Sequence, residues 1–270
     1  MVTALITGAA GGLGARMVER LLENDFDLIL VDKHTQRLDA LQKDVASKYT
    51  TSNAATSNPK SKQSKRTVNV INCDVADYAA LKKNLAAFKQ IDVLINAAGE
   101  LDPVGPFAEN NIEVWAKTIG TNLLGTVNAC HICLERLKKS KHGKIINFAG
   151  GGAAYGRVQH TAYASSKAAV VRFTETLASE EPKLDVNVIA PGAHNTFIWE
   201  SETYDKPPLK WADPRRFQDL IQYLATDTSN GLTGRFMHIY DEWDKSDYRT
   251  LSPDMLTLRR IDEQLLKKLK

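Results

Sequence analysis

The chain has 270 residues, 43% of them apolar and 25% charged, so it can bury a core without disulfide or metal support. Its formal charge of +3 is too small to indicate a nucleic-acid or membrane-surface partner, and no apolar run approaches a membrane span. The three cysteines cannot form a disulfide framework, which favours a reducing compartment and predicts a cytoplasmic protein.

Short apolar runs alternate along the chain with longer segments of helical period. The predicted strands cover residues 2–7, 27–31, 68–73, 93–96, 144–148, 186–190 and 236–240. The predicted helices cover residues 14–24, 35–48, 78–88, 112–140, 161–180 and 214–224. Several strands are apolar almost throughout, as in parallel sheets buried on both faces. The pattern predicts an α/β fold, a single-domain Rossmann-type doubly wound sheet with helices on both faces and ligands at the carboxyl ends of its strands.

Two segments depart from this alternation. Residues 50–66 are rich in Ser, Thr, Asn and Lys, and we interpret them as a mobile insertion within a domain of residues 1–240, rather than as a basic patch for a partner. Residues 241–270 form a charged C-terminal extension, expected to pack on its own domain or on a neighbouring subunit. It ends in a predicted helical stripe of Leu258, Ile261, Leu265 and Leu269.

A glycine-rich turn follows the first predicted strand and leads into a helix. Its glycines are Gly8, Gly11, Gly12 and Gly14, which allow backbone amides to approach a pyrophosphate at a helix N-terminus. The second strand ends in Asp32, which can accept hydrogen bonds from a ribose diol and repels a 2′-phosphate. This arrangement favours NAD(H), while the neighbouring Lys33 leaves NADP(H) possible.

Further motifs follow the glycine turn in order. They are Cys73-Asp74-Val75, Asn96-Ala97-Ala98-Gly99, Asn122, Tyr163-Ala164-Ser165-Ser166-Lys167, Pro191-Gly192 with Thr196, and Thr233-Gly234. With the TGxxxGxG turn, this set resembles the short-chain dehydrogenase/reductase family in its single-domain subtype. The resemblance implies a cofactor site formed by Thr7, Gly8, Gly11, Gly12, Leu13, Gly14, Asp32, Asp74, Val75, Asn96, Ala97, Gly99, Tyr163, Lys167, Pro191, Gly192 and Thr196.

The same resemblance implies that Tyr163, Lys167 and Asn122 are catalytic. Tyr163 and Lys167 are four residues apart on a predicted helix and share a face. Lowering a phenol pKa by ~3 units requires about 4 kcal/mol, which a nearby ammonium and a cationic nicotinamide can supply in part. Tyr163 then exchanges the substrate hydroxyl proton, and Asn122 holds a water that connects Lys167 to solvent.

The catalytic serine of the family is absent. Its position, thirteen residues before Tyr163, is Gly150 in this sequence. Loss of one such donor lowers turnover by ~10²–10³. We expect a substitute from a backbone amide of the glycine run, a water, or a side chain among Tyr155, His160 and His194.

Several residues beside these motifs are candidate substrate contacts. They are Gly150, Gly151, Tyr155, His194 and Trp199, and the short cap segment, residues 197–212, favours a small substrate. Cys130 and Cys133 have CxxC spacing but lie inside a predicted helix without a second ligand pair, so we interpret them as buried residues and predict no metal site.

The sequence therefore predicts an NAD(H)-dependent oxidoreductase that interconverts a secondary alcohol and a ketone. A cofactor-binding sensor or assembly protein with little turnover is the alternative from another class, and Gly150 supports it. Dehydration or epimerisation is a third possibility. The expected partners are a small-molecule substrate and a second copy of the chain in a homodimer or homotetramer, with no nucleic acid and no membrane.

Overall fold

The computed structural model describes residues 2–50, 66–261 and 265–267. Seven parallel strands of these residues form one sheet in the order β3-β2-β1-β4-β5-β6-β7. The strands are β1 (Val2–Thr7), β2 (Phe26–Asp32), β3 (Val68–Asn72), β4 (Val93–Asn96), β5 (Lys144–Phe148), β6 (Asp185–Ala190) and β7 (Phe236–His238). The strand order reverses between β1 and β4, which opens a crevice at their carboxyl ends.

Helices cover both faces of the sheet. They are α1 (Gly12–Glu23), α2 (Thr35–Val45), α3 (Tyr78–Leu85), α4 (Ile112–Ile119), α5 (Gly125–Leu137), α6 (Thr161–Glu180) and α7 (Pro214–Ala225). This architecture confirms the predicted fold class. None of the helices among the described residues combines the length and apolarity needed to cross a membrane.

The helix predicted over residues 112–140 is wrong as a single element. A π-helical turn, Gly120–Leu124, separates α4 from α5. Wider turns of this kind occur mostly as local interruptions of α-helices, frequently at functional sites. The interruption contains Asn122, which is completely buried.

The core is divided between the two faces of the sheet. In β1, Ala4 and Ile6 pack in the cluster that includes α1 and α7, whereas Leu5 packs in the cluster that includes α3 and α5. This burial on both faces explains why the strand is apolar at consecutive positions. Cys130 and Cys133 lie in the second cluster and are buried, as predicted.

The predicted helical stripe of the C-terminal extension is wrong at Leu258 and Ile261, because no helix covers these residues. The extension instead follows an irregular path over its own domain, with Trp243 and Tyr248 in the core. Buried Arg235 donates hydrogen bonds to three of its backbone carbonyl groups, those of Leu251, Ser252 and Met255. Long-range hydrogen bonds therefore determine its path. Of the remaining predicted stripe, Leu265 lies in a short helical turn and Leu269 falls outside the described residues, as does most of the predicted insertion.

Candidate functional site

A cleft of about 640 Å³ opens at the carboxyl ends of the central strands. This volume lies within the usual range of small-molecule and cofactor sites, about 300–1,000 Å³. Its lining includes eleven of the residues that the sequence assigns to a cofactor: Gly8, Gly11, Gly12, Leu13, Gly14, Asp32, Asp74, Val75, Ala97, Gly99 and Thr196.

The glycine turn needs its glycines for conformation and for space. Gly8 has a φ of +65°, and a β-carbon there would lie 2.6 Å from the backbone N of Ala98. A β-carbon at Gly12 would lie 2.5 Å from the side chain of Thr196. Gly11 caps α1, so the turn presents the positive end of a helix dipole to the cleft. This cradle of backbone fits a pyrophosphate group.

Asp32 lies at the end of β2 and is buried. Its Oδ2 accepts the N–H of Ala10 at 2.9 Å and its Oδ1 accepts the N–H of His34 at 2.9 Å. A carboxylate has about four acceptor sites, so two remain for hydroxyl groups in the cleft. The ammonium of Lys33 is paired with Glu100, which neutralises the cation beside Asp32.

Other residues assigned to the cofactor lie under the cleft rather than in its lining. Thr7 and Asn96 are buried at the ends of β1 and β4, and Asn96 Nδ2 donates to Asn147 Oδ1 at 2.9 Å. Pro191 accepts a hydrogen bond from His194 through its carbonyl, and Gly192 has a φ of +77°. These contacts stabilise the strand ends that form the floor of the cleft.

Tyr163 and Lys167 project from one face of α6. Burial lowers the pKa of Lys167 to about 8, and its Nζ donates to the carbonyl of Phe148 at 2.8 Å. This Nζ lies 5.7 Å from the centre of the Tyr163 ring. Burial raises the pKa of Tyr163, while the guanidinium of Arg157 acts in the opposite direction. The phenol is therefore neutral at pH 7 in the protein alone.

Asn122 connects the π-helical turn to the loop after β4 and to α6. Its Oδ1 accepts the N–H of Glu100 at 2.7 Å, and its Nδ2 donates to the Glu100 carbonyl and to Ser166 Oγ, both at 2.9 Å. A β-carbon at Gly99 would lie 3.3 Å from Asn122 Oδ1 and 3.5 Å from Lys167 Nζ. The structure thus brings Asn122 and Lys167 together at Gly99.

The space beside Gly150 contains the Tyr163 hydroxyl. A β-carbon at Gly150 would lie 2.6 Å from Tyr163 Oη, although the backbone itself is ordinary extended chain with a φ of −176°. At Gly151 a β-carbon would lie 2.8 Å from Tyr155 Oη. The hydroxyl groups of Tyr163 and Tyr155 therefore occupy the space that side chains at positions 150 and 151 would need.

The two histidines considered as substitute donors have their ring nitrogens engaged elsewhere. His194 Nδ1 lies 2.9 Å from an Arg16 nitrogen and its Nε2 lies 2.9 Å from the Pro191 carbonyl. His160 Nδ1 lies 2.6 Å from the Val158 carbonyl and its Nε2 lies 2.9 Å from Glu202 Oε2. Both rings are buried, so neither offers a free nitrogen to a substrate.

The cap segment begins with a short 3-10 helix, Phe197–Ser201, beside the glycine turn. The Arg37 guanidinium lies 3.8 Å from the centre of the Phe197 ring, so a cation of α2 contacts the cap. Trp199 contacts Trp211 edge to face, with 5.1 Å between ring centres. Trp199 therefore packs within the cap and also borders a smaller cavity beside Gly12.

The ionic contacts that join the cap to the turn before α6 could not be predicted from the sequence. Arg157 donates to Glu202 and Asp205, and Glu202 also contacts His160. The partners lie more than 40 residues apart, so no local periodicity indicates the pairing. In the turn before the predicted Tyr163 helix, the sequence offers only Arg157 and His160, which do not by themselves indicate partners in the cap.

Comparison with known proteins gives consistent results. A sequence profile of the short chain dehydrogenase family matches residues 2–207. The chain is 29% identical over 251 residues to the hydroxy(phenyl)methylsuccinyl-CoA dehydrogenase subunit BbsD of Thauera aromatica, covering 87% of this chain and 94% of BbsD. Its fold is similar to that of NAD+-bound xylitol dehydrogenase, with a TM-score of 0.75 and 23% identity over 88% of this chain and 97% of the other. It is also similar to a short chain dehydrogenase of Shigella flexneri complexed with NADP, with a TM-score of 0.73 and 24% identity over 89% and 97% of the two chains.

Proposed function

Because this chain belongs to the short-chain dehydrogenase family, and is therefore an oxidoreductase that uses NAD(P), we propose that it interconverts a secondary alcohol and a ketone with NAD(H). The observation that carries the proposal is the convergence of Tyr163, Lys167 and Asn122 at Gly99 and Gly150, beside the glycine cradle. Nicotinamide supplies the hydride acceptor or donor when it is bound.

Tyr163 is the proposed general acid and base. In alcohol oxidation its phenolate takes the hydroxyl proton as hydride leaves the carbinol carbon, and in ketone reduction the phenol returns that proton. Because burial raises the Tyr163 pKa in the protein alone, the phenolate needs cationic neighbours. Lys167 and the oxidised nicotinamide ring are the proposed sources of positive charge.

The Lys167 ammonium group has N–H groups available for the cofactor or water. One N–H is engaged by the Phe148 carbonyl, and an ammonium group has three, so two remain for cofactor hydroxyl groups or water. Asn122 is held rigidly through Glu100 and Ser166, and Ser166 in turn donates to the Tyr163 carbonyl at 2.7 Å. These bonds fix the relative positions of the helix and the π-helical turn.

Tyr155 is the proposed substitute for the absent serine. Its hydroxyl lies against Gly151, next to the serine position, whereas His160 and His194 have no free ring nitrogen. The substitution Tyr155→Phe tests this role, because it removes the hydroxyl and keeps the ring. We expect kcat to fall by about 10²–10³, as for loss of one oxyanion donor. Retention of kcat would assign the donor to a backbone amide or a water.

NAD(H) is favoured over NADP(H) by the charges around Asp32. The Asp32 carboxylate keeps acceptor sites for ribose hydroxyl groups, and Lys33 is neutralised by Glu100. Arg37 lines the same cleft and is the cation available to a 2′-phosphate, which keeps NADP(H) as the alternative.

Hydride transfer across a panel of secondary alcohols, sugars and acyl alcohols, with NAD and NADP in parallel, tests the proposal. We expect turnover with NAD and a substrate small enough for the cap. Tight NADH binding without hydride exchange would favour the cofactor-binding sensor, for which Gly150 is the supporting observation. We also propose that the chain forms a homodimer or homotetramer.

A further inference from the structure

Lys33 and Glu100 form an ion pair that joins the two sides of the crevice. Lys33 follows β2, Glu100 lies in the loop after β4, and β1 separates these two strands in the sheet. The Lys33 ammonium group contacts Glu100 Oε1, and both residues line the cleft. Their side chains are 27% and 21% exposed, so the pair is partly shielded from water. The pair therefore spans the carboxyl end of β1, beside the point where the strand order reverses.

The backbone of Glu100 is held by a buried side chain. Asn122 Oδ1 accepts the Glu100 N–H at 2.7 Å, and Asn122 Nδ2 donates to the Glu100 carbonyl at 2.9 Å. Asn122 is completely buried, so these two bonds fix the point from which the Glu100 side chain extends. The ammonium of Lys117 lies 3.8 Å from the same Glu100 oxygen, on a side chain that is 63% exposed. Glu100 is therefore kept within reach of Lys33 from the opposite side of the crevice.

The charged groups of Lys33 and its neighbour Asp32 have different partners. The Asp32 carboxylate accepts backbone N–H groups from the turns that precede α1 and α2. The Lys33 ammonium instead contacts Glu100 in the loop after β4, and it lies 3.9 Å from Asp74 Oδ2 in the loop after β3. The Lys33 carbonyl accepts a hydrogen bond from Asn72 Nδ2 at 3.1 Å, which holds the backbone. Breaking the ion pair would therefore release the ammonium group without moving the chain that carries it.

A 2′-phosphate beside Asp32 needs a cation that is free to bind it. A phosphate monoester carries about −1.5 to −2 charges at pH 7, and the Asp32 carboxylate repels it. Two cationic side chains, Lys33 and Arg37, line this part of the cleft. The Arg37 guanidinium lies 3.8 Å from the centre of the Phe197 ring, and the Lys33 ammonium is paired with Glu100. Both cations therefore already have a partner.

We propose that Glu100 determines cofactor preference by holding the Lys33 ammonium across the crevice, so that this cation is not available to a 2′-phosphate. The inference rests on the proposed function and deepens it, because it assigns a second acid besides Asp32 to the discrimination between NAD(H) and NADP(H). Glu100 acts through Lys33 and is a positioning residue. A 2′-phosphate must break the ion pair to gain this cation, whereas a 2′-hydroxyl group needs no cation.

Direct repulsion between Glu100 and a phosphate is the competing explanation. Both explanations predict that Glu100→Gln raises the affinity for NADP. They differ in the part that Lys33 takes, because repulsion acts whether or not Lys33 is present, whereas the restraint acts only through Lys33. A double-mutant cycle of Glu100→Gln and Lys33→Met therefore separates them, since it measures how far the effect of one substitution depends on the other.

Isothermal titration calorimetry of the full chain with NADP and with NAD provides the affinities for the cycle. The proteins are the parent chain, the two single variants and the double variant. We expect Glu100→Gln to raise NADP affinity by a factor about fivefold larger in the presence of Lys33 than in Lys33→Met, the upper range for a partly exposed ion pair. The affinity for NAD should change by less than about twofold in all of them. Equal gains in NADP affinity with and without Lys33, or no gain in either background, would overturn the proposal.

Glu200→Gln is the matched control for the loss of one negative charge from the cleft. Glu200 lines the same cleft from the short helix of the cap. In the part of the chain that the structure describes, the ion pairs of Lys33 are with Asp74 and Glu100. The effect of Glu200→Gln on NADP affinity should therefore be the same with and without Lys33. A dependence on Lys33 as large as that of Glu100→Gln would overturn the proposal, because Lys33 would then respond to any charge in the cleft.

Glutamine has nearly the shape of glutamate and leaves the backbone contacts of Glu100 in place, and NAD binding reports whether each variant is folded. If Glu100→Gln does not fold, Glu100→Ala takes its place in the cycle with the same expected result. The titrations require no substrate, so a chain that binds NAD without hydride transfer would refute the proposed reaction alone. A parent chain that prefers NADP would refute the proposed NAD(H) preference, while the cycle would still measure the restraint of Lys33. Absence of binding of either cofactor to the parent chain would refute both.

Discussion

A side chain at position 150 must displace the Tyr163 hydroxyl. The β-carbon of Gly150→Ala would lie 2.6 Å from Tyr163 Oη, whereas ordinary contact begins near 3.4 Å, so the phenol must move by about 0.8 Å. A displacement of about 1 Å in a catalytic group costs about 10²-fold in rate. We therefore expect kcat of Gly150→Ala to fall by about a hundredfold, and overpacking to lower the free energy of unfolding by about 1–3 kcal/mol.

Gly150→Ser is the matched variant, because it has the same β-carbon as Gly150→Ala and adds the hydroxyl group that Gly150 lacks. A donor of that kind is worth about 10²–10³ in kcat. The ratio of kcat in Gly150→Ser to kcat in Gly150→Ala therefore measures the effect of the added hydroxyl donor separately from the displacement of Tyr163. If Tyr155 already supplies the donor, the two variants should have similar, low kcat values.

The assay is single-turnover hydride transfer followed by nicotinamide absorbance, with urea unfolding as the control for folding. Parental kcat in Gly150→Ala would mean that the position of the Tyr163 hydroxyl does not depend on the space at Gly150, contrary to the contact distance. A gain of orders of magnitude in Gly150→Ser would show that the chain has no substitute donor.

Three further predictions concern charge and the extension. Lys167 has a pKa lowered to about 8 from 10.5, so the folded state binds fewer protons than the unfolded state between these pH values, and the free energy of unfolding should rise with pH across that window. Lys167→Met should abolish turnover and should lack this pH dependence. In urea titrations at pH 7 its free energy of unfolding should be higher by up to about 3 kcal/mol, because the cost of burying the ammonium group is removed. A less stable variant would contradict that cost. Asp32→Ala should weaken NAD binding by about tenfold or more and shift preference toward NADP in competitive binding; an unchanged preference would place discrimination elsewhere. Arg235→Met removes three hydrogen bonds to the extension and should lower the free energy of unfolding by about 2 kcal/mol or more. Proteolysis within residues 241–261 should then occur earlier. If the variant resists proteolysis as well as the parent chain does, these hydrogen bonds are not needed to keep the extension in place.

The sheet could be predicted because its signal is local. The central strands bury consecutive residues on both faces, as Leu5 and Ile6 do in β1, and glycines follow the ends of β1 and β5. The predicted bounds agree with the structure to within two residues for every strand. The spacing of Tyr163 and Lys167 likewise placed them on one helix, which the structure shows as α6.

Features that depend on long-range contacts could not be predicted. Amphipathic spacing favoured one helix through residues 120–124, but the side chain of Asn122 bonds to Glu100 and Ser166 across a wider turn. The leucine spacing of the extension is helical, yet Arg235 and Glu175 hold its backbone in an irregular path.

The resemblance to the family predicts that Gly150 replaces a serine, but it does not predict what occupies the space beside Gly150. The position of the Tyr163 hydroxyl in the space beside Gly150 depends on how α6 packs against the end of β5. The contacts of Glu202 with Arg157 and His160 depend in the same way on tertiary packing, since His160 and Glu202 are 42 residues apart.

Tyr163 is the proposed group that transfers the proton accompanying hydride transfer. The most direct test is hydride transfer from a secondary alcohol to NAD by the parent chain and by Tyr163→Phe, with NADH binding measured on both. We expect NADH binding to be retained and kcat to fall by about 10²–10⁴ in the phenylalanine variant. Parental kcat in Tyr163→Phe would contradict this role of Tyr163.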